Sequence, residues 1–199
     1  MSNYAYQDIR LVRWDIELLR TLSRPLQGPL SADYINALRE LCQVVKGFYI
    51  AGIQVGDARQ FTVPTDPKLP ILYNPEIVVQ YDRVKVWEGC LSFPESQIKI
   101  LRYKYVEVKF RDENWDEKRI VAGYDPPFMK DDGILAQAWQ HEIEHMQGDL
   151  YFDKAPLDEK RVILARSNRE MRIRSSFSVP SVELADGPLE TEVPILVGG

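Results

Sequence analysis

Histidine and cysteine are both scarce in this chain. Among 199 residues there are two cysteines, Cys42 and Cys90, and two histidines, His141 and His145. Two cysteines make no disulfide framework, so the chain reads as one adapted to a reducing compartment, and a cytoplasmic location is expected. No apolar run approaches the ~18 residues of a membrane span, and no membrane partner is expected. The first eight residues, Met1 to Asp8, hold neither an apolar signal core nor an Arg-rich presequence. Basic excess is also missing: 25 Lys and Arg stand against 30 Asp and Glu, a formal charge of −5. That balance argues against sequence-specific or general nucleic-acid binding, while leaving room for a local basic patch. Forty-five per cent apolar and 28% charged residues exclude a collagenous, low-complexity or wholly disordered chain.

Hydrophobic spacing divides what remains. Residues 31–47 have helical periodicity, with Ser31 as cap and Gly47 as stop. From Phe48 to about Tyr124 short β-rich runs follow one another (48–55, 61–63, 71–73, 77–79, 84–87, 102–110 and 118–122), punctuated by prolines, with a turn expected at 114–117. Helical spacing returns over 131–147, capped by Asp131 or Asp132 and closed by Gly148, and again from Pro156 to about Arg174. The expected class is α+β: a central helix packed among antiparallel β-sheets, then a C-terminal helix. Residues 1–174 read as one catalytic domain. Residues 175–199, with three prolines, four acids and no Lys or Arg, read as an acidic tail, mobile or draped over the body.

The two histidines are four apart in His141-Glu142-Ile143-Glu144-His145. On a helix that spacing stacks both imidazoles on one face, where they can share a metal ion. Glu142, beside them, can reach a water at the metal without ligating it. This pairs a Lewis acid with a proton carrier. Two histidines leave the site a ligand short. Any of the 30 carboxylates could complete it. So could Cys90, in Trp87-Glu88-Gly89-Cys90-Leu91-Ser92; spacing alone does not choose. Cys42, on the apolar face of its helix, reads as a buried small hydrophobe.

With these motifs assembled, the sequence resembles the peptide deformylase family. Glu88-Gly89-Cys90-Leu91-Ser92 matches that family's EGCLS. Gln140-His141-Glu142-Ile143-Glu144-His145 matches QHExDH except at Glu144, and Gly47-Phe48-Tyr49-Ile50-Ala51-Gly52-Ile53-Gln54 is a degraded GxGLAAxQ. The resemblance implies an enzyme that removes the formyl group from N-terminal formyl-methionine of new polypeptides. It makes Cys90, His141 and His145 the ligands of one divalent ion: Fe²⁺ natively, with Zn²⁺, Ni²⁺ or Co²⁺ in preparations. It makes Glu142 the proton carrier, and the Gln54 amide and Leu91 backbone N–H the donors to the developing oxyanion. It sets Gly47, Phe48, Tyr49 and Gly89 along the substrate, and Glu88 behind the ligands. A methionine pocket at Val86, Ile134, Gln137 and Ala138 is implied as well. The chain departs from the family at Tyr49, Gly52, Gln97, Gln137 and Glu144, which bears on efficiency and preference more than on reaction type. Partners implied are N-formyl-methionyl peptides and, through the basic helix 160–174, the ribosome. Two other readings compete: an HExxH zinc endopeptidase, which lacks the EGCLS motif, and a weakly catalytic binding protein on the same fold.

Overall fold

The computed structural model describes residues 9–124 and 132–176. In chain order the helices are α1 (Ile16–Leu19), α2 (Ala32–Val44), α3 (Asp132–Met146) and α4 (Leu157–Ser176). The strands are β1 (Tyr49–Ala51), β2 (Phe61–Pro64), β3 (Leu72–Cys90), β4 (Phe93–Arg111) and β5 (Glu117–Gly123). They form one antiparallel sheet in the order β1-β2-β3-β4-β5, not several sheets.

Local chemistry explains most of the boundaries. The Ser31 side chain accepts from Tyr34 N and caps α2. That helix ends with Lys46, not Gly47, in the left-handed conformation (φ 56°), while Gly47 N donates to Cys42 O at 2.7 Å. Gly47 is glycine for lack of space: a Cβ there would lie 2.7 Å from Leu91 Cδ1 and 2.8 Å from Cys42 Sγ. The run expected as strand over 48–55 breaks at Gly52 into a 3₁₀ turn, Gly52–Val55. A Cβ on Gly52 would meet Asp57 O at 2.6 Å, so this glycine permits a close backbone crossing and does not loosen a strand.

The runs expected at 71–73, 77–79 and 84–87 fuse into the 19-residue β3, which pairs with the 19-residue β4 across a turn at Leu91-Ser92. Pro75 does not break β3, because the ladder is irregular between Tyr73 and Glu76 and the strand has an edge there. The Asp112–Asp116 turn, with Trp115 at φ 67°, leads into β5. Gly148, at φ 76°, follows α3 as expected. The expected cap residue Asp131 lies outside the described residues, and so does the tail from residue 177. Helix α4 continues through Ser176, two residues past the expected domain boundary.

Helix α3 is buried on more than one side. Ala136, Trp139 and Ile143 (i, i+3, i+7) pack with Tyr49, Leu72, Val106 and Val108 on the sheet. His141, Glu142 and His145 are buried on the adjoining side. A second cluster joins α2 to β1 and β2 through Leu38, Cys42, Ile50 and Phe61. A third, with Trp14, Phe93, Ile98, Tyr151, Phe152 and Ile163, closes the far side beneath α4.

Candidate metal centre and active site

Three elements deliver the site. Helix α3 supplies His141, Glu142 and His145, the end of β3 supplies Glu88, Gly89 and Cys90, and the 3₁₀ turn after β1 supplies Gln54. Cys90, His141 and His145 are buried together, with one ligand atom from each lying within 4.8 Å of the others. Cys90 Sγ is 3.2 Å from His145 Nε2. No other group of three or more potential ligands occurs among the described residues. One thiol and two imidazoles suit a borderline divalent ion, and three protein ligands leave a coordination position open.

His141 is fixed from behind. Its Nδ1 lies 2.7 Å from Glu88 Oε1. Glu88 is gripped by Arg102, whose Nε donates to Oε2 at 2.7 Å and whose Nη2 donates to Oε1. The Arg102 side chain is fully buried, and its Nη1 donates at 2.5 Å to Glu144, which also pairs with Lys154 at 2.8 Å. Glu144, one methylene longer than the Asp expected from the resemblance, thus closes a chain of alternating charges running from the ligand helix to the surface. Burial favours the protonated form of Glu88, but hydrogen bonds from Arg102 and His141 outweigh it and hold the carboxyl at about 2. Gln137 Nε2 adds bonds to Glu88 Oε2 at 3.2 Å and to the Trp87 carbonyl at 3.0 Å. Gln140 locks the helix to β4 by bonding both Tyr103 N and Tyr103 O.

The open side of the site is arranged differently. Glu142 is 5% exposed, and its Oε2 has no hydrogen-bond partner among the described residues; burial pushes the carboxyl up to about 7. Gln54 Oε1 accepts from Ala51 N at 2.9 Å, which turns Nε2 toward Cys90 Sγ and Ser92 Oγ, each at 3.5 Å. Burial, followed by the neighbouring His141, depresses the pKa of His145 and favours the neutral, ligating imidazole.

A cavity of about 440 Å³ opens beside this cluster. It is lined by Gly47, Phe48, Tyr49, Gln54, Glu88, Gly89, Cys90, Leu91, Ile134, Gln137, Ala138, His141 and Glu142, with Gln97 at its side. Val86, expected in the pocket, does not line it. It sits one strand period beyond Glu88 and packs with the cluster of Ile98, Ile100 and Tyr151. His145 lies behind the lining. Tyr49 borders the cavity, yet the residue is only 2% exposed and packs in the α3–sheet cluster with its hydroxyl donating to Pro70 O. The tyrosine therefore does not narrow the groove. Sequence reasoning missed Arg102, Ser92 and Lys154. Arg102 was legible only as one basic residue in an alternating strand, and its partner Glu88 is reached only by the register that pairs Glu88 with Ile98.

A thiol and two imidazoles around an open position, with a buried carboxyl group whose Oε2 is unpartnered beside a cavity, define a metallohydrolase-type centre. The chain belongs to the polypeptide deformylase family, whose model matches residues 9–161. A peptide deformylase of Salinibacter ruber is 30% identical over 173 residues, covering 78% of this chain and 84% of that one. One from Treponema pallidum is 32% identical over 147 residues, covering 72% and 84%. The Legionella pneumophila peptide deformylase structure superposes with a TM-score of 0.71 at 25% identity, covering 83% of this chain and 96% of that one. A plant peptide deformylase, at 24% identity and TM-score 0.73 over 87% and 96% of the two chains, shares the fold. The chain is accordingly a metal-dependent hydrolase acting on formylated peptides; neither the endopeptidase nor the binding-protein reading is favoured. None of the described helices is long and apolar enough to cross a membrane.

Proposed function

We propose that Cys90, His141 and His145 hold one divalent ion, Fe²⁺ in the native enzyme, and that Glu142, Gln54 and Leu91 carry out the proton and charge movements of formyl hydrolysis. Zn²⁺, Ni²⁺ and Co²⁺ suit the same donors. When bound, the ion supplies Lewis acidity at the open side of the ligand set. Glu142 takes a proton from the attacking water and returns it to the leaving amine nitrogen; its unpartnered buried Oε2 is the observation that carries this reading. Gln54 Nε2 and the Leu91 backbone N–H donate to the oxygen that gains charge as the formyl carbon becomes tetrahedral. Glu88, held by Arg102, keeps His141 oriented so that its other nitrogen faces the ion. Ile134 and Ala138 form the apolar wall for the methionine side chain, while Gln137 spends its amide on Glu88 and Trp87. The substrate backbone lies between Gly47–Tyr49 and Gly89–Leu91, which line the cavity.

We place the enzyme in the cytoplasm, acting on nascent chains, with residues 1–174 as its catalytic domain and 175–199 as an appended tail. The basic helix is a candidate ribosome contact. Lys160 is engaged with Asp153 and Arg166 with Glu95, while Arg161 is exposed. The decisive experiment measures formate release from a formyl-methionyl peptide by Glu142→Gln, alongside metal content. The expected result is at least a 10²-fold loss of turnover, about the contribution of a general base, with metal and peptide binding retained. Near-wild-type turnover would place the base elsewhere, and loss of metal would make Glu142 a ligand.

A further inference from the structure

The two-stranded stretch of β3 and β4 carries a surface that formyl hydrolysis does not use. Side chains alternate across a strand, and the register Trp87–Lys99, Lys85–Leu101, Arg83–Tyr103 and Tyr81–Tyr105 sets these residues on one face. The opposite face holds Glu88, Ile98, Ile100 and Arg102 and is buried against the site. The outward face is open: Trp87 is 66% and Tyr81 51% exposed. Cations and rings interleave on it. Arg83 lies 4.9 Å over the Tyr103 ring and Lys99 lies 6.0 Å over Trp87, while the Tyr81 and Tyr105 rings stack at 4.6 Å. Arg83, Lys85 and Lys99 form no ion pair with any described residue. The face presents three cations, Arg83, Lys85 and Lys99, within a chain of net charge −5, whereas Arg102 of the same stretch is buried on the other face against Glu88. A local charge reversal of this kind on an acidic protein implies an anionic partner.

The spacing narrows the partner's chemistry. Cations two residues apart on a strand stand about 6.6–6.8 Å apart, with flat apolar rings beside them. A lipid headgroup or an acidic peptide would use the charges but leave the rings unmatched. A single-stranded polynucleotide uses both, phosphates on the cations and bases on the rings. We propose that this outward face of the β3–β4 ribbon binds single-stranded RNA without sequence preference. RNA is the polynucleotide met by an enzyme whose substrates are new polypeptides, a clause that rests on the deformylase reading.

The test is fluorescence anisotropy of a labelled oligouridylate of about 12 nucleotides, titrated with the full chain at about 50 mM salt. Saturable binding is expected, weakening with salt at a logarithmic slope near −2, as about three phosphate contacts require. Lys85→Glu with Lys99→Glu should weaken binding at least about tenfold while formate release stays at the wild-type level. The milder pair Lys85→Gln with Lys99→Gln should weaken it in the same direction, which guards against misfolding of the first. Trp87→Ala should cost at least about fivefold through lost stacking. Arg161→Glu with Arg169→Glu, on α4, should leave binding within about twofold. No saturable binding overturns the proposal; so does binding abolished by the α4 pair but untouched by the ribbon pairs. Self-association of the RNA-free protein that Trp87→Ala abolishes would give the face to a second copy and also overturn it. RNA binding without formate release would leave the ribbon proposal standing and fail the deformylase reading; formate release without RNA binding would do the reverse.

Discussion

Two carboxylates in this molecule are each held by two basic side chains, Glu88 in the interior and Asp153 at the surface. Glu88, 4% exposed, sits between His141 and the fully buried Arg102. Asp153, its side chain 22% exposed, receives both Arg20 nitrogens at 2.8 and 2.9 Å and Lys160 at 2.6 Å, and ties the chain after α3 to the N-terminal segment and to α4. The contacts look alike, but their consequences differ. In the interior neither charge can be returned to water, so removing a partner strands the other and disturbs the ligand histidine that rests on it. At the surface, water and salt replace a lost partner. Similar hydrogen bonds therefore position a metal ligand in one place and fasten a seam in the other.

The largest expected effect falls on the interior side. Cys90→Ala should lower metal occupancy and formate release together, by at least about 10²-fold in activity if the open position cannot form without the thiolate. Metal analysis beside an activity assay checks this, and unchanged metal content would mean that another residue completes the site. Arg102→Met tests the support alone. It leaves Glu88 buried and unpaired on one side, so a loss of about 3–5 kcal/mol in denaturant unfolding is expected, together with about 10- to 100-fold weaker metal retention against a chelator. A loss confined to stability would show that Glu88 orients His141 without Arg102.

The surface clamp should respond by less and with a definite pH dependence. Burial opposes ionisation of Asp153, but bonds from Arg20, Lys160 and Leu150 N outweigh it and bring its pKa from 3.8 to about 2. A pKa lowered on folding adds stability that is fully present above the unfolded value and is lost as pH falls through the folded one. Asp153→Asn should therefore cost about 1 kcal/mol near neutral pH, allowing for solvent screening, and the difference from wild type should vanish as pH falls from about 4 to about 2. Urea unfolding at several pH values reads this directly; a difference constant down to pH 2 would remove the charge from the explanation. Smallest of all is Cys42→Ala. Cys42 is buried with its Sγ beside Thr65 Oγ1 at 3.0 Å, away from the ligand cluster, so metal content and turnover should stay near wild type and only a small cavity cost should appear in Tm.

Much of the site was legible because its chemistry is local. His141, Glu142 and His145 share one helical turn, and a helix holds residues i and i+4 together wherever it is packed. The ribbon was not legible as such: 80–83 is polar and reads as a break, yet an edge strand tolerates polar residues on its open face, so β3 runs straight through it. Val86 shares the face of Glu88 but lies one strand period further along it, where pairing with Ile100 carries it past the cavity.

What the sequence determined by itself was the pair of histidines with Glu142 between them, the helix that presents them, and the family whose motifs it carries. These depend on residue identity and on spacings within a single element. Tertiary structure decided that Cys90 and not a carboxylate joins the histidines, that Arg102 reaches Glu88 and Glu144, that Gly47 and Gly52 serve close approach, and that Tyr49 turns inward. Each of these depends on segments far apart in sequence and brought together by strand register and helix packing, where a shift of one residue in a ladder would exchange the buried face for the exposed one.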